Sequence, residues 1–246
     1  MSREEDLNNV KQDGLALQYV EEQTKEICLA AVKQNGLALE YVKTQTEEIC
    51  LEAVKQEGYA LEYVEEQTEE ICLEAICETC DAIQFVEEQT EEMCIKAVNC
   101  DGLLLKYCLL TDDVCFEAVK QDGLALEYLS NNIRNAFCEA YCSWQEISLE
   151  AVKQNGLAVE FFTDEYDSPY STYKYDYDKV KEICLAAVSQ HDGALSLIPQ
   201  GFVNICTDAL KQKYKNDGGL DNVQVSLSMR RREQRWNENW EGIAYE

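Results

Sequence analysis

Apolar positions along the chain recur every 22 residues in two clusters separated by a polar stretch. The first cluster, as in Leu37 to Val42, is apolar except at its fourth place, and no proline interrupts it. The second cluster holds Ile49, Cys50, Ala53 and Val54. This spacing places the second set on one broad face of a helix. Each repeat is therefore predicted to contain two short helices.

The polar residues between the clusters indicate where these helices begin and end. Thr46 precedes the second helix and two glutamates occupy its first turn, a combination that suits the positive end of a helix. Asn35-Gly36 predicts a C-cap with glycine in the left-handed conformation. Helices of roughly 8 and 11 residues are too short to be stable alone in water. Stacking must stabilise them, so the predicted fold class is all-α, an α-solenoid of 22-residue two-helix repeats.

One glycine and one cysteine mark the register of each repeat. The glycines are Gly14, Gly36, Gly58, Gly102, Gly123, Gly156 and Gly193, and the cysteines are Cys28, Cys50, Cys72, Cys94, Cys115, Cys184 and Cys206. Cys80 replaces the glycine of the fourth repeat, and the fifth repeat is one residue short. We interpret the longer spacing between Gly123 and Gly156 as a full repeat followed by a lone helix, Glu146 to Lys153. The array would then contain about nine units.

The predicted organisation has five segments. They are an N-terminal capping helix (1–13), a helical repeat array (14–162), a Tyr/Asp-rich insertion loop (163–178), the last helical repeats (179–218) and an irregular C-terminal tail (219–246). In the capping helix Glu5, Asp6 and Asn9 stand where interior helices carry apolar residues, which gives the array a polar end. Alternation over 223–229 predicts a strand in the tail, followed by a short basic and aromatic helix.

Charge limits the classes of partner. The formal net charge is −27, and residues 230–246 contribute none of it because four arginines balance four glutamates. A strongly negative array disfavours direct binding of nucleic acid or of an anionic membrane. It favours a protein partner with a basic surface, while the alternative is that the charge serves only solubility. No apolar run of 18 or more residues and no hydrophobic leader occur, so neither a membrane span nor a signal peptide is expected.

The 13 cysteines fall into two groups. Most follow the repeat on helix faces, where rows about 8–10 Å apart exceed the Cα separation that a disulfide tolerates. We interpret these as small buried hydrophobic residues in a reducing compartment. Cys77, Cys80, Cys100 and Cys142 leave the register. The first three are weak candidates for a metal site, and the alternative is drift at surface positions; neither a metal nor a cofactor is expected.

Catalytic chemistry has little support in the sequence. His191, the single histidine, lies in an irregular turn, and the carboxylates recur in phase as a solvated face would. No phosphate-binding loop, dinucleotide fingerprint or nucleophile elbow occurs. We therefore expect that the protein is not an enzyme and has no catalytic residues.

Two segments that break the repeat are the candidate partner-binding regions. The insertion carries Tyr166, Tyr170, Tyr173, Tyr175 and Tyr177 among aspartate and serine. Tyrosine-rich loops on a rigid scaffold are typical of binding surfaces, although a disordered excursion is the alternative. The tail carries Arg230, Arg231, Arg232, Trp236 and Trp240. This basic and aromatic arm could dock on its own array, mediate self-association, or bind another protein or nucleic acid.

The phrases Ala31 to Val42 and Gln67 to Ala75 closely resemble a repeat family of unknown function that is abundant in mimivirus-type giant viruses of amoebae. The resemblance covers about residues 11–162 and, more weakly, 180–212. It implies a viral protein in the host cytoplasm, the virus factory or the virion. The family offers no established functional residues to carry over.

The functional hypothesis that follows is a non-enzymatic, acidic helical-repeat scaffold that mediates protein–protein interaction and acts on a viral or host factor. Two alternatives stay open. One is a structural or virion component that associates with itself through the tail. The other is a decoy that mimics nucleic acid and occupies a basic protein.

Overall fold

The computed structural model describes residues 3–133, 141–166 and 176–216, which contain helices and no strand. The chain divides into two compact units, residues 1–114 and 115–246. The predicted fold class is confirmed, since short helices alternate in tandem as an all-α repeat solenoid. The predicted strand over 223–229 and the tail residues Arg230, Arg231, Arg232, Trp236 and Trp240 lie outside the described residues.

Unit 1 alternates α-helices with 3-10 helices. Its α-helices are α1 (Arg3–Gln12), α2 (Lys25–Gln34), α3 (Glu47–Gln56), α4 (Glu69–Glu78) and α5 (Glu91–Cys100). Its 3-10 helices are η1 (Gly14–Tyr19), η2 (Gly36–Tyr41), η3 (Gly58–Tyr63), η4 (Cys80–Phe85) and η5 (Gly102–Tyr107). The boundary between the units falls within α6 (Asp112–Gln121).

Unit 2 has elements of more varied length. They are η6 (Gly123–Ala125), α7 (Leu126–Ile133), α8 (Tyr141–Gln154), η7 (Gly156–Ala158), α9 (Val159–Tyr166), α10 (Tyr177–Gln190), η8 (Asp192–Leu197), η9 (Gln200–Phe202) and α11 (Val203–Asn216). The interpretation of a lone helix, Glu146 to Lys153, was wrong because α8 is continuous from Tyr141. After α1 the described residues therefore contain eight two-helix repeats and not about nine.

The first helix of each repeat in unit 1 is a six-residue 3-10 helix, where the sequence predicted two turns of about eight residues. The Asn35 side chain accepts a hydrogen bond from the Leu37 backbone N–H at 3.0 Å and so begins η2. The helix ends because Val42 is extended, with its N–H bonded to the Leu39 carbonyl three residues back. Such i→i+3 bonding is typical of helical pieces this short.

The predicted threonine caps of the second helix are confirmed. The hydroxyl oxygen of Thr46 accepts from the Ile49 backbone N–H at 3.4 Å, and Thr24, Thr68 and Thr90 make the same bond one or two repeats away. Acidic residues occupy the first turn of α3, where they face the positive end of the helix.

The repeat glycines are not left-handed C-caps, which corrects the prediction for Asn35-Gly36. The φ of Gly36 lies outside the left-handed region, and the residue begins η2. A Cβ on Gly36 would lie 2.5 Å from the Ala53 carbonyl oxygen of α3. A Cβ on Gly58 would lie 2.6 Å from the Ala75 carbonyl oxygen in the same way. At Gly36 and Gly58 the close approach of consecutive backbones therefore favours glycine.

The core of unit 1 is a layer of small and branched side chains between the two rows of helices. Leu39, Ile49, Ala53 and Val54 are buried, and their counterparts in neighbouring repeats are buried as well. Val10 of α1 is buried against the first repeat, while Glu5 is exposed. Each pair of helices thus buries its apolar face on the next pair, as helices this short require.

Candidate functional site

A glutamine side chain joins each repeat of unit 1 to the next one. Gln45 donates from Nε2 to the Tyr63 carbonyl oxygen at 2.7 Å, and its Oε1 accepts from the Glu65 backbone N–H at 3.0 Å. The same pair of bonds is made by Gln23, Gln67 and Gln89. The side-chain amide thus supplies hydrogen-bond partners for two backbone groups at the end of the following 3-10 helix and in the loop after it, as a peptide group would. Sequence reasoning missed this role, although the glutamine recurs every 22 residues before the capping threonine.

The cysteine column is part of the same connection. Cys50 Sγ lies 3.4 Å from Gln45 Oε1, and Cys72 and Cys94 contact their glutamines in the same way. Burial raises the pKa of the Cys50 thiol to about 11, with Glu65 adding to the effect, so the thiol is protonated at neutral pH and can donate. These cysteines are free and buried, as predicted. Cys94 differs because a hydrogen bond from Cys108 lowers its pKa.

A second glutamine contact lies at the other end of the helices. Gln34 ends α2, and its Oε1 accepts from the Gly14 backbone N–H at 2.5 Å. In unit 2 Gln154 accepts from Gly123 N–H at 2.8 Å. The position that begins a 3-10 helix therefore faces the last turn of the α-helix that follows it in the chain.

Two ion pairs between consecutive α-helices share one register, 23 positions apart in sequence. Arg3 pairs with Glu26 at 3.0 Å, and one repeat later Lys25 pairs with Glu48. The next two repeats carry glutamate where Arg3 and Lys25 stand, so that Glu47 corresponds to Lys25 and faces the place of Glu70. One repeat further, Glu69 and Glu92 occupy the two positions of the pair.

This change of charge coincides with a hollow in the surface of α4 and α5. The hollow has a volume of about 460 Å³ and is lined by Glu69, Glu70, Leu73, Glu74, Cys77 and Glu92. Four carboxylates with one apolar side chain could receive a cationic group together with its aliphatic stem. Among the described residues no group of three or more histidine, cysteine or acidic side chains has the arrangement of a metal site.

Aromatic residues end the 3-10 helices of unit 1 and form a column beside carboxylates. Tyr41 has a raised pKa because the neighbouring Glu40 carboxylate disfavours its ionisation. The Lys106 ammonium lies over the Tyr107 ring, 4.6 Å from the ring centroid. This column can therefore accept a cation, at least from its own chain.

The off-register cysteines Cys80 and Cys100 form a disulfide, with Sγ atoms 2.13 Å apart and Cα atoms 6.4 Å apart. The expectation of reduced cysteines was wrong for this pair. The row spacing of the cysteine column does not apply to these two residues, because they lie at the closely packed glycine and glutamine positions of the repeat. Cys77 is free and exposed.

Reaction with a thiol reagent should separate these classes of cysteine. We expect Cys77 to react in the folded protein, while Cys28, Cys50 and Cys72 react only when unit 1 opens, because they are buried and their pKa values are raised. Timed alkylation followed by peptide mapping measures each rate separately. Early labelling of Cys50 would contradict the buried arrangement, and Cys77→Ser should remove only the Cys77 signal.

Of the predicted tyrosine sites, only part lies in the described residues. Tyr177 begins α10, is exposed, and its ring centroid lies 4.9 Å from that of Phe202. Tyr166 ends α9. Tyr170, Tyr173 and Tyr175 lie outside the described residues, as do the tail positions. The role of the predicted binding residues therefore stays a prediction.

His191 lies at the start of η8, where its Nδ1 accepts a hydrogen bond from the Gly193 backbone N–H at 3.0 Å. In other repeats the side-chain oxygen of Asp13, Asn35 or Asn155 accepts the equivalent hydrogen bond. The imidazole therefore serves as a helix cap in place of an aspartate or asparagine. No helix in the described part of the chain is long and apolar enough to cross a membrane.

The repeat phrases match a family profile described as "Domain of unknown function (DUF4116)" in four overlapping segments, residues 7–46, 24–68, 46–90 and 90–134. Together the segments cover just over half of the chain. The chain belongs to this family. Each DUF4116 match spans about two of the 22-residue repeats, so the glutamine contacts between repeats lie within it. No curated protein and no solved structure matches the chain.

Proposed function

We propose that the protein is a non-enzymatic scaffold that binds a protein with a basic surface. The observation that supports it best is the change of charge at the register of the ion pairs. Where Lys25 of α2 bridges to Glu48, α4 carries Glu69 opposite Glu92. The cation that this register accommodates is then supplied by the partner. Lysine and arginine are the side chains that fit, since their stems can contact Leu73 while the charge lies among carboxylates.

The aromatic column supports the same class of partner. Lys106 over Tyr107 is an internal example of a cation held on this surface. With a net charge of −27, the chain also attracts a basic partner over a longer range, and the attraction weakens as salt increases. The array itself is then a poor ligand for nucleic acid or for an anionic membrane.

The biological setting is a second part of the proposal. Resemblance of the repeat phrases supports a giant-virus protein that acts on a viral or host factor in the host cytoplasm, the virus factory or the virion. Self-association as a structural or virion component, and mimicry of nucleic acid, are the two other functions that the test below separates.

Glu69→Lys is the variant that tests the proposed site. It places a lysine opposite Glu92 as Lys25 stands opposite Glu48, so the fold should be retained while the hollow loses its attraction for a cation. We expect it to weaken partner binding at least ~10-fold. Glu66→Lys is the matched control, because it changes the charge equally at an exposed loop position that does not line the hollow.

The measurement is affinity purification from infected host cells with the full chain and both variants, followed by mass spectrometry and by titration of the recovered partner. Loss of a basic partner with Glu69→Lys alone supports the proposal. Equal losses with both variants would refute the hollow and leave only general charge attraction. Recovery of nothing but the chain itself would favour self-association, and displacement of the partner by DNA or RNA would favour mimicry.

A further inference from the structure

The disulfide occupies a contact that other repeats make without sulfur. Cys80 begins η4 at the place of Gly14, and Cys100 ends α5 at the place of Gln34. In the first repeat the Gly14 N–H donates to Gln34 Oε1, again across 20 positions in sequence. Both members of one contact have thus become cysteine in one repeat, and a covalent bond joins the α4–η4 junction to the last turn of α5.

The cysteines of this disulfide are more exposed than those of the buried cysteine column. Cys100 is exposed and Cys80 is partly exposed, whereas Cys28, Cys50 and Cys72 are buried. A dissolved thiol can therefore reach the disulfide sulfurs but not the column thiols. Reduced Cys100 would also find an acceptor in place, since its Sγ lies 3.5 Å from the Lys96 carbonyl oxygen.

A third thiol lies close to the disulfide in sequence and is exposed. Cys77 is in the last turn of α4, three residues before Cys80, and it is free and exposed. Lys96 of α5 hydrogen-bonds Cys77, an interaction that raises the pKa of the Lys96 ammonium. The hydrogen bond places Cys77 beside α5, the helix that carries Cys100.

We propose that Cys77, Cys80 and Cys100 form a thiol–disulfide exchange site that closes and opens a covalent link between α4 and α5. The co-reactant is a low-molecular-weight thiol of the glutathione class. Its thiolate attacks Cys80 Sγ, the Cys80–Cys100 bond breaks, and Cys100 leaves as a thiolate that takes up a proton. Cys77 then attacks the mixed disulfide at Cys80, which forms Cys77–Cys80 and returns the small thiol.

This sequence involves no net oxidation, because one disulfide replaces another. With excess reduced thiol, a second thiolate attacks the mixed disulfide in place of Cys77. The protein then gains two electrons and two protons, while two molecules of the small thiol become one disulfide. In both outcomes α5 is released from the α4–η4 junction.

Mapping of the disulfides tests the exchange directly. The full chain is incubated without oxygen at set ratios of reduced to oxidised glutathione, quenched with acid, alkylated and digested. Glu78 lies between Cys77 and Cys80, so cleavage after glutamate places the two thiols on separate peptides. We expect Cys80–Cys100 in oxidising mixtures, Cys77–Cys80 with free Cys100 at intermediate ratios, and three free thiols in reducing mixtures. Cys77→Ser should abolish only the intermediate species.

A stability measurement on the same samples uses a matched control. Cys80→Gly/Cys100→Gln restores the residue pair of the first repeat, so it keeps the packing and removes the link. Reduction should lower the Tm of the native chain by roughly 5–10 °C, because the unfolded chain is no longer constrained. The double variant should show no such shift.

The proposal is overturned by any of three results. Cys80–Cys100 could persist at every glutathione ratio, Cys77–Cys80 could be absent from all mixtures, or the double variant could respond to glutathione as the native chain does. Each of these results is independent of whether a basic partner binds.

Discussion

Replacing Gly36 by alanine is expected to lower the free energy of unfolding by about 1–3 kcal/mol. An added Cβ would lie 2.5 Å from the Ala53 carbonyl oxygen and 3.0 Å from Glu57 Cβ. The first contact is with backbone, so rotation of a side chain cannot relieve it. The 3-10 helix η2 must therefore move away from the end of α3, which weakens the packing that stabilises both short helices.

Gly201→Ala is the matched control for this substitution. Gly201 also lies in a 3-10 helix, η9, and no atom would lie within 4 Å of an added Cβ. We expect its effect on stability to be within about 1 kcal/mol of zero, with a stabilising sign if the unfolded chain dominates. Urea unfolding followed by circular dichroism measures both variants. Equal effects of the two substitutions would show that close approach of the backbones is not why Gly36 is glycine.

The sequence could predict those parts of the fold that depend on local residues, but not those that depend on contacts between repeats. Helix content and the threonine caps depend on residues within a few positions of each other, so the local pattern around Thr46 and Ile49 predicted them. The role of Gly36 depends on Ala53, which belongs to the next α-helix. A local rule for glycine after a helix predicted a left-handed cap, but tertiary packing determines the residue instead.

The contacts of the candidate site could likewise be predicted from the sequence only in part. Periodicity located Cys80 and Cys100 outside the cysteine column, but it could not show that the positions of Gly14 and Gln34 touch. That contact depends on the stacking of the last turns of consecutive helices. Likewise, the glutamates at 69 and 92 look like members of a uniform acidic face until the pairing of Lys25 with Glu48 defines their register. Contacts between residues 20 to 23 positions apart cannot be recognised from the sequence of a single repeat.

Replacing Gln45 by leucine is the second substitution for which we expect a large effect, a loss of about 2–3 kcal/mol in the free energy of unfolding. The variant leaves the Tyr63 carbonyl oxygen and the Glu65 N–H without their partner between repeats, and the Cys50 thiol without its acceptor. Leucine has nearly the same volume, so the loss reports on hydrogen bonding more than on packing.

Gln84→Leu is the control, because Gln84 Nε2 donates only within its own 3-10 helix, to the Asp81 carbonyl oxygen, and the side chain is exposed. Its effect should stay within about 0.5 kcal/mol. If the two variants unfold at the same urea concentration, the glutamine contacts do not hold the repeats together.

Gln45→Glu separates the donor from the acceptor in the same contact. The carboxylate can still accept from the Glu65 N–H, but it replaces the amide donor with a negative oxygen facing the Tyr63 carbonyl. Folding should therefore raise the pKa of the new carboxyl above its unfolded value, because only its protonated form can donate to Tyr63. The stability of this variant relative to the native chain should be greatest below the unfolded pKa and should fall as the pH rises through the folded pKa. A difference that does not change between pH 3 and pH 7, a range that brackets the ordinary glutamate pKa of about 4.3, would mean that the Nε2 bond contributes little. In that case the side-chain oxygen, which accepts from both the loop N–H and the cysteine thiol, would supply the contact that joins one repeat to the next.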